Sequence, residues 1–259
     1  MVSINIFNIY NPLDQFEIKE LISLSISFLD NLNLTLTNLS LYLILSSMAL
    51  YIKSLLTNNN EKIVYNTWVI MNKSLYDTIY SIVINQINKN KGQYFFPFIY
   101  CLFLFILINN LFGMVPYSFA TTSHFIITFF FSFTIVLGAT ILGFNKHGLK
   151  FFSLLVPSGC PLFLLPLLVL IEFISYLARN VSLGLRLAAN ILSGHMLLNI
   201  LSGFTYNIMN YALLYFLISL LPLIFVIAFS GLELGIAFIQ SQVFVVLSCS
   251  YIKDALELH

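Results

Sequence analysis

The chain has 259 residues, of which 59% are hydrophobic and only 8% charged, with a formal net charge of +1 and a mean hydropathy of +0.95. Soluble domains carry about 25% charged residues, so the composition excludes that class, and the near-zero charge balance leaves no footprint for nucleic acid. Several runs reach the roughly 20 apolar residues that a bilayer-crossing helix needs, and none alternates as a barrel strand would, so the expected fold is all-α and polytopic, one integral membrane domain over 1–259.

The amino-terminal stretch Met1 to Tyr10 contains no Lys or Arg and no long apolar core, which fits neither a secretory signal nor an imported transit peptide. The abundance of Ile, Asn, Phe, Tyr and Lys beside a single Trp is what a very AT-rich genome, such as many mitochondrial genomes, would encode. The first thirty residues hold Asp14, Glu17, Glu20 and Asp30 against Lys19 and read as a short acidic arm followed by an amphipathic piece.

The first span is expected over 36–56, with Lys53 snorkelling at its end. Thr57 to Lys62 follows as a surface turn. Over 63–88, Trp68, Met71, Leu75, Ile79 and Ile82 recur at spacings of three and four, the pattern of an amphipathic helix lying in the membrane interface. Its apolar stripe is expected to stop at Gln86, with Lys89 and Lys91 closing the segment. Residues 94–144 read as a hairpin of two spans, Tyr94 to Pro116 and Phe125 to Phe144, followed by Lys146 and Lys150.

After a turn at Pro157-Ser158-Gly159-Cys160-Pro161, residues 162–255 form two very long apolar runs. The first, Leu162 to Phe204, would be about 65 Å long as a helix, against a hydrocarbon core of about 30 Å. It must break or lie strongly tilted. The second, Tyr211 to Ala255, offers Pro222, Gly231 and Gly235 as kink points. Together they suggest a tilted hairpin joined by a short link at Gly203 to Asn210.

Five crossings would place Lys53, Lys62, Lys73, Lys89, Lys91, Lys146, Lys150 and Lys253 on one side, which the positive-inside rule assigns to the compartment of synthesis. The acidic amino-terminal arm then lies opposite. Cys101, Cys160 and Cys249 are far apart, in apolar surroundings and without metal-ligand spacing, so they read as lone buried thiols, and neither a metal nor a cofactor is expected.

From Pro166 to Ser250 the charged residues are Glu172, Arg179, Arg186 and Glu233, with His195 as a further titratable group. Ionisable groups at membrane depth are functional candidates, because a charge there costs roughly 2.5–3.5 kcal/mol on insertion scales. Arg186 cannot relay protons, since a guanidinium keeps its charge near neutral pH. It can hold, orient or repel other charges. Glu172 precedes it by fourteen residues, which returns to nearly the same helical face about 21 Å away. Asn190 lies one turn beyond Arg186, and His195 falls on the opposite face. On the second run Glu233 and Gln240 share a face, with Asp254 further along it. If the two helices run inward-to-outward and back, Glu172 and Asp254 sit at the inner side, His195 at the outer side and Glu233 nearer mid-membrane. Arg179 shares a face with Arg186 and reads as structural or interfacial. His124, His147 and His259 fall at expected ends or turns, meeting water or headgroups.

The run Ser182 to His195, with Leu183-Gly184-Leu185-Arg186-Leu187 and Asn190 as its most specific part, closely resembles subunit a of the F-type ATP synthase. The resemblance covers essentially the whole chain, including Asn110 to Pro116; Asn11 to Ile18 and Tyr251 to Ala255 look like fungal mitochondrial members, whose short leader, here residues 1–10, is removed. It implies a proton-conducting stator beside a rotating ring of c subunits, with peripheral-stalk and other Fo membrane subunits as further partners. Arg186 would face the ring and force each passing carboxylate to deprotonate. His195 and Glu233 would line the half-channel of the intermembrane space, and Glu172 and Asp254 that of the matrix. Asn190 and Gln240 would be polar support. The amino terminus would lie in the intermembrane space and the carboxyl terminus in the matrix. The chain would not be an enzyme by itself, since nothing in it resembles a phosphate-binding loop and the nucleotide chemistry would sit on other subunits. A secondary transporter would need an internal inverted repeat, which the two halves do not display; a purely structural subunit would not need charges at depth.

Overall fold

The computed structural model describes residues 13–25, 33–57, 67–87, 89–115, 118–156, 163–209 and 213–256. The leader, the 157–161 turn, Lys62 and His259 therefore lie outside the described residues. Six helices dominate: α1 Asn38–Thr57, α2 Thr67–Ile87, α3 Lys89–Gly113, α4 Phe125–His147, α5 Leu165–Met209 and α6 Leu213–Leu256. Five carry segments long and apolar enough to cross a membrane, and α2 is not among them.

Before α1 the chain makes a short 3-10 turn, Asp14–Phe16, and then a two-stranded antiparallel hairpin, β1 Glu20–Ser25 and β2 Asn33–Thr37. Ser23 pairs with Thr35 and Leu24 with Leu34, with an irregularity between Glu20 and Ile22. Sequence reading gives this stretch no strand; the alternation of Leu34, Thr35, Leu36 and Thr37 is its period-two signal.

The apolar face of α2 is set by its neighbours. Ile79, Val83 and Ile87 are nearly inaccessible, whereas Trp68 and Met71 are more than half exposed. The buried stripe thus follows a spacing of four and continues past Gln86, because this end of α2 packs into a cluster with Ile99, Phe103 and Val245 of α3 and α6. Tyr76 meets Phe96 and Tyr100 edge-on, and the Tyr100 hydroxyl donates to Asn72 Oδ1 at 2.8 Å. Lys89 and Lys91 do not close α2; they lie in the first turn of α3. Cys101 is exposed on α3, contrary to the buried thiol expected, while Cys249 is buried.

The link between α3 and α4 contains a second 3-10 turn, Thr121–Ser123, whose three residues are buried. Here Thr121 Oγ1 donates to Asn109 Oδ1 at 3.0 Å, which ties the turn to α3. His124 does not face outward as its position suggested: its ring stacks on Phe119 at 5.0 Å. α4 ends where Gly148 takes φ +56° and its N–H caps Phe144 O, a left-handed backbone that glycine adopts without Cβ strain.

The last two helices settle the break-or-tilt alternative in favour of unbroken helices. α5 is continuous over 45 residues and α6 over 44, with Pro222 and both candidate glycine kinks inside it. The link expected from Gly203 is instead helical as far as Met209. At 1.5 Å per residue each helix is about 65 Å long, so crossing a core of about 30 Å requires strong inclination.

Candidate functional site

The motif on α5 sorts its residues by helical face. Leu183, Gly184, Leu187, Ala188 and Ile191 recur at intervals of one, three and four and are buried, while Val181, Ser182, Leu185, Arg186, Ala189 and Asn190 are exposed. The first set packs against α4 and α6, where Leu183 and Leu187 join Ile135, Val136 and Phe244. Gly184 permits the closest approach: a Cβ there would lie 2.9 Å from Ser132 Oγ and 3.2 Å from the Thr128 carbonyl. Burying this apolar face leaves Arg186 on the outer one.

Arg186 lies in a shallow depression with Ala178, Val181, Ser182, Leu185 and Ala189. It makes no ion pair among the described residues. Small side chains at Ala178, Ser182 and Ala189 leave the guanidinium unobstructed. One turn along, Asn190 Nδ2 donates to Gln240 Oε1 at 3.0 Å, tying α5 to α6.

Arg179, two turns before Arg186, has a different environment. Its guanidinium stands 3.8 Å from Glu172 Oε1 and 3.5 Å from Asp254 Oδ2, and Tyr251 donates its hydroxyl to the Arg179 carbonyl at 3.1 Å. Glu172 and Asp254 are thus brought to one end of the α5–α6 pair, bracketing a cation. All three side chains remain between 36% and 42% exposed. Nearby, Lys146 Nζ donates to the Leu256 carbonyl at 2.7 Å, with His147 Nε2 3.3 Å from the same oxygen, so the ends of α4 and α6 share that side.

Beyond Arg186, His195 Nδ1 lies 3.3 Å from Glu233 Oε1, with the side chains only 13% and 4% exposed. His195 Nε2 and both carboxylate oxygens of Glu233 are buried without a hydrogen-bond partner among the described residues. Gly194 makes room for the carboxylate, since a Cβ there would come within 2.8 Å of Glu233 Oε1. Gly113 borders the imidazole, with its Cβ position 3.2 Å from Ala120 Cβ and 3.4 Å from His195 Nε2. His195 and Glu172 are 23 residues apart on one helix, which separates the two clusters by about 35 Å along the axis.

Sequence reasoning missed the spacing roles of Gly184 and Gly194, although small residues beside bulky apolar ones signal close helix contact. It also missed Phe16, whose ring centroid is 6.4 Å from that of His195. No periodicity connects residues so far apart in the chain.

Residues 39–253 match the ATP synthase A chain family. The chain belongs to that family. Similar proteins include ATP synthase subunit a of Podospora anserina, 69% identical over 96% of this chain and 94% of the relative. ATP synthase subunit a of Trichophyton rubrum is 67% identical over 97% and 98%, and that of Emericella nidulans 68% identical over 97% and 98%. Membership makes the chain a proton-translocating stator component of the Fo sector, of the fungal mitochondrial type, and its five apolar helices make it a multi-pass protein of the inner membrane.

Proposed function

We propose that this chain forms two offset half-channels that load and unload protons on the carboxylates of a c-ring, with Arg186 as the coupling charge between them. The observation that carries the reading is an unpaired, exposed arginine standing between two separate titratable clusters. A fixed cation lowers the pKa of an approaching carboxylate, and the low dielectric of a membrane interior strengthens the effect. A ring carboxylate reaching Arg186 therefore gives up its proton, and the same cation repels a proton moving directly from one cluster to the other.

His195 and Glu233 serve the side facing the intermembrane space. Both bind and release protons, and the atoms left without partners can take part in transfer. Glu172 and Asp254 serve the matrix side, where their exposure gives protons an aqueous exit and Arg179 holds the two carboxylates together. Asn190 and Gln240 fix the α5–α6 spacing beside Arg186. Each proton crossing 100 mV releases about 2.3 kcal/mol, and a path interrupted by a rotor converts that release into torque.

The ring, the peripheral stalk and other Fo subunits are the partners this role requires, alongside the lipid bilayer, and nucleotide chemistry lies on other subunits. Residues 1–10 form a removed leader, the mature amino terminus faces the intermembrane space and the carboxyl terminus the matrix. In this arrangement α2 lies along the membrane interface, and the 162–255 hairpin faces the ring.

The deciding experiment is ATP-driven proton pumping and passive leak in membranes carrying Arg186→Gln, with assembly of the complex checked. Assembly without pumping is expected. Near-normal coupled pumping would overturn the coupling role and make the arginine structural.

A further inference from the structure

The acidic arm ahead of α1 is anchored in two places. Asn38 holds it from one side: its N–H donates to the Lys19 carbonyl at 3.1 Å, its Oδ1 accepts from the Lys19 N–H at 3.2 Å, and its Nδ2 donates to the Glu17 carbonyl at 3.1 Å. Three bonds from one residue fasten the 17–19 segment to the start of α1. The second anchor is Phe16, the one residue of 13–20 that is not exposed. The Asp14–Phe16 turn, closed by Phe16 N–H to Leu13 O at 2.9 Å, directs the ring inward.

The ring packs on a small apolar cluster of Ala120, Ile191 and Ala237. Ile191 lies one turn before His195 on α5, and Ala237 one turn after Glu233 on α6. Ala120 adjoins Gly113, which itself abuts His195. Phe16 thus sits where the α3–α4 link, α5 and α6 meet beside the buried pair, with its ring tilted 59° to the imidazole.

We propose that Phe16 is a positioning residue for His195: the arm, latched through Asn38, lays its ring against the imidazole, holds it toward Glu233 and limits the access of water to the pair. This rests on the reading of His195 and Glu233 as the proton-handling pair of one half-channel. An aromatic ring suits the task because it presents a large, rigid apolar face that fills the opening without offering protons of its own. The arm therefore acts as part of the half-channel's wall.

The test is carbethoxylation of histidine by diethyl pyrocarbonate in the assembled, detergent-solubilised complex, mapped by mass spectrometry, with ATP-driven pumping measured on the same variants after reconstitution. Phe16→Ala should raise the modification rate of His195 several-fold, with His147 at the far end of the bundle unchanged. Phe16→Tyr should restore the slow rate. Asn38→Ala, which loosens the latch and leaves the ring intact, should raise it to a lesser degree. An unchanged His195 rate in Phe16→Ala would overturn the inference, and an unchanged rate in Asn38→Ala alone would remove the latch from it. His195→Ala separates the two readings: normal pumping in that variant would defeat the proton-handling assignment, while the modification rates would still decide whether Phe16 covers the ring.

Discussion

The two titratable clusters of the α5–α6 pair differ in the way each meets its charges. At one end Glu172 and Asp254 bracket Arg179 with every side chain more than a third exposed. At the other His195 and Glu233 face each other in a nearly closed space with no added cation among the described residues. In the open cluster, water and the guanidinium share the carboxylates' charge, so either acid can lose its partner at modest cost. In the enclosed one each group depends on the other, because burial leaves few alternatives for a polar atom. On the proposed roles, an exit can be redundant where an enclosed transfer pair cannot.

Substitution of one acid in each cluster sharpens that contrast most. Glu233→Gln is expected to abolish ATP-driven pumping in assembled complexes, because the amide neither titrates nor replaces the carboxylate opposite His195. Glu172→Gln should leave substantial pumping, since Asp254 remains beside Arg179. Pumping rate per assembled complex measures both. Equal and complete losses would show that the open cluster has no redundancy.

A smaller effect is expected from backbone spacing. Gly194→Ala puts a Cβ within 2.8 Å of Glu233 Oε1 and 3.0 Å of its Cδ. The contact is with the far end of a side chain, so the carboxylate can swing aside while the helices stay in place. Pumping should fall several-fold while assembly is retained. Gly203→Ala provides the comparison, because a Cβ there meets nothing within 4 Å; it should leave pumping intact and, in a helix interior, stabilise by up to about 1 kcal/mol. A similar loss in both variants would separate the effect from Glu233.

Much of the fold is legible in the amino-acid sequence. Five long apolar helices and their approximate limits follow from run length, and the shared face of Arg186 and Asn190 follows from their spacing of one turn. The candidate charges stand out because few others share their surroundings. Distances across the fold are not legible in this way. That Arg179 rather than Arg186 is paired depends on the approach of Asp254 from α6, 75 residues away. The buried stripe of α2 differs from the expected one because packing against α3 and α6, rather than residue type alone, selects Val83 and Ile87 over Trp68 and Met71. Continuity of α5 through Gly203 escapes a sequence reading for a related reason: a lone glycine costs a helix about 1 kcal/mol, which the surrounding apolar run overcomes.

Among the changes expected to cost pumping, the mildest concerns Arg179. Its two ion pairs, at 3.5 and 3.8 Å, are exposed enough that each contributes no more than about 1 kcal/mol. Arg179→Gln should therefore change the thermal stability of the complex little. Glu172 and Asp254 would then lose the cation that holds them together, so the open end should keep its geometry less firmly, and pumping should slow modestly without an increase in leak. Arg179→Lys should recover most of that loss, because a point charge suffices where the geometry is not bidentate. A loss of pumping as complete as that expected of Arg186→Gln would mean that the two arginines act as one unit, and that the distinction between a paired and an unpaired charge does not govern coupling.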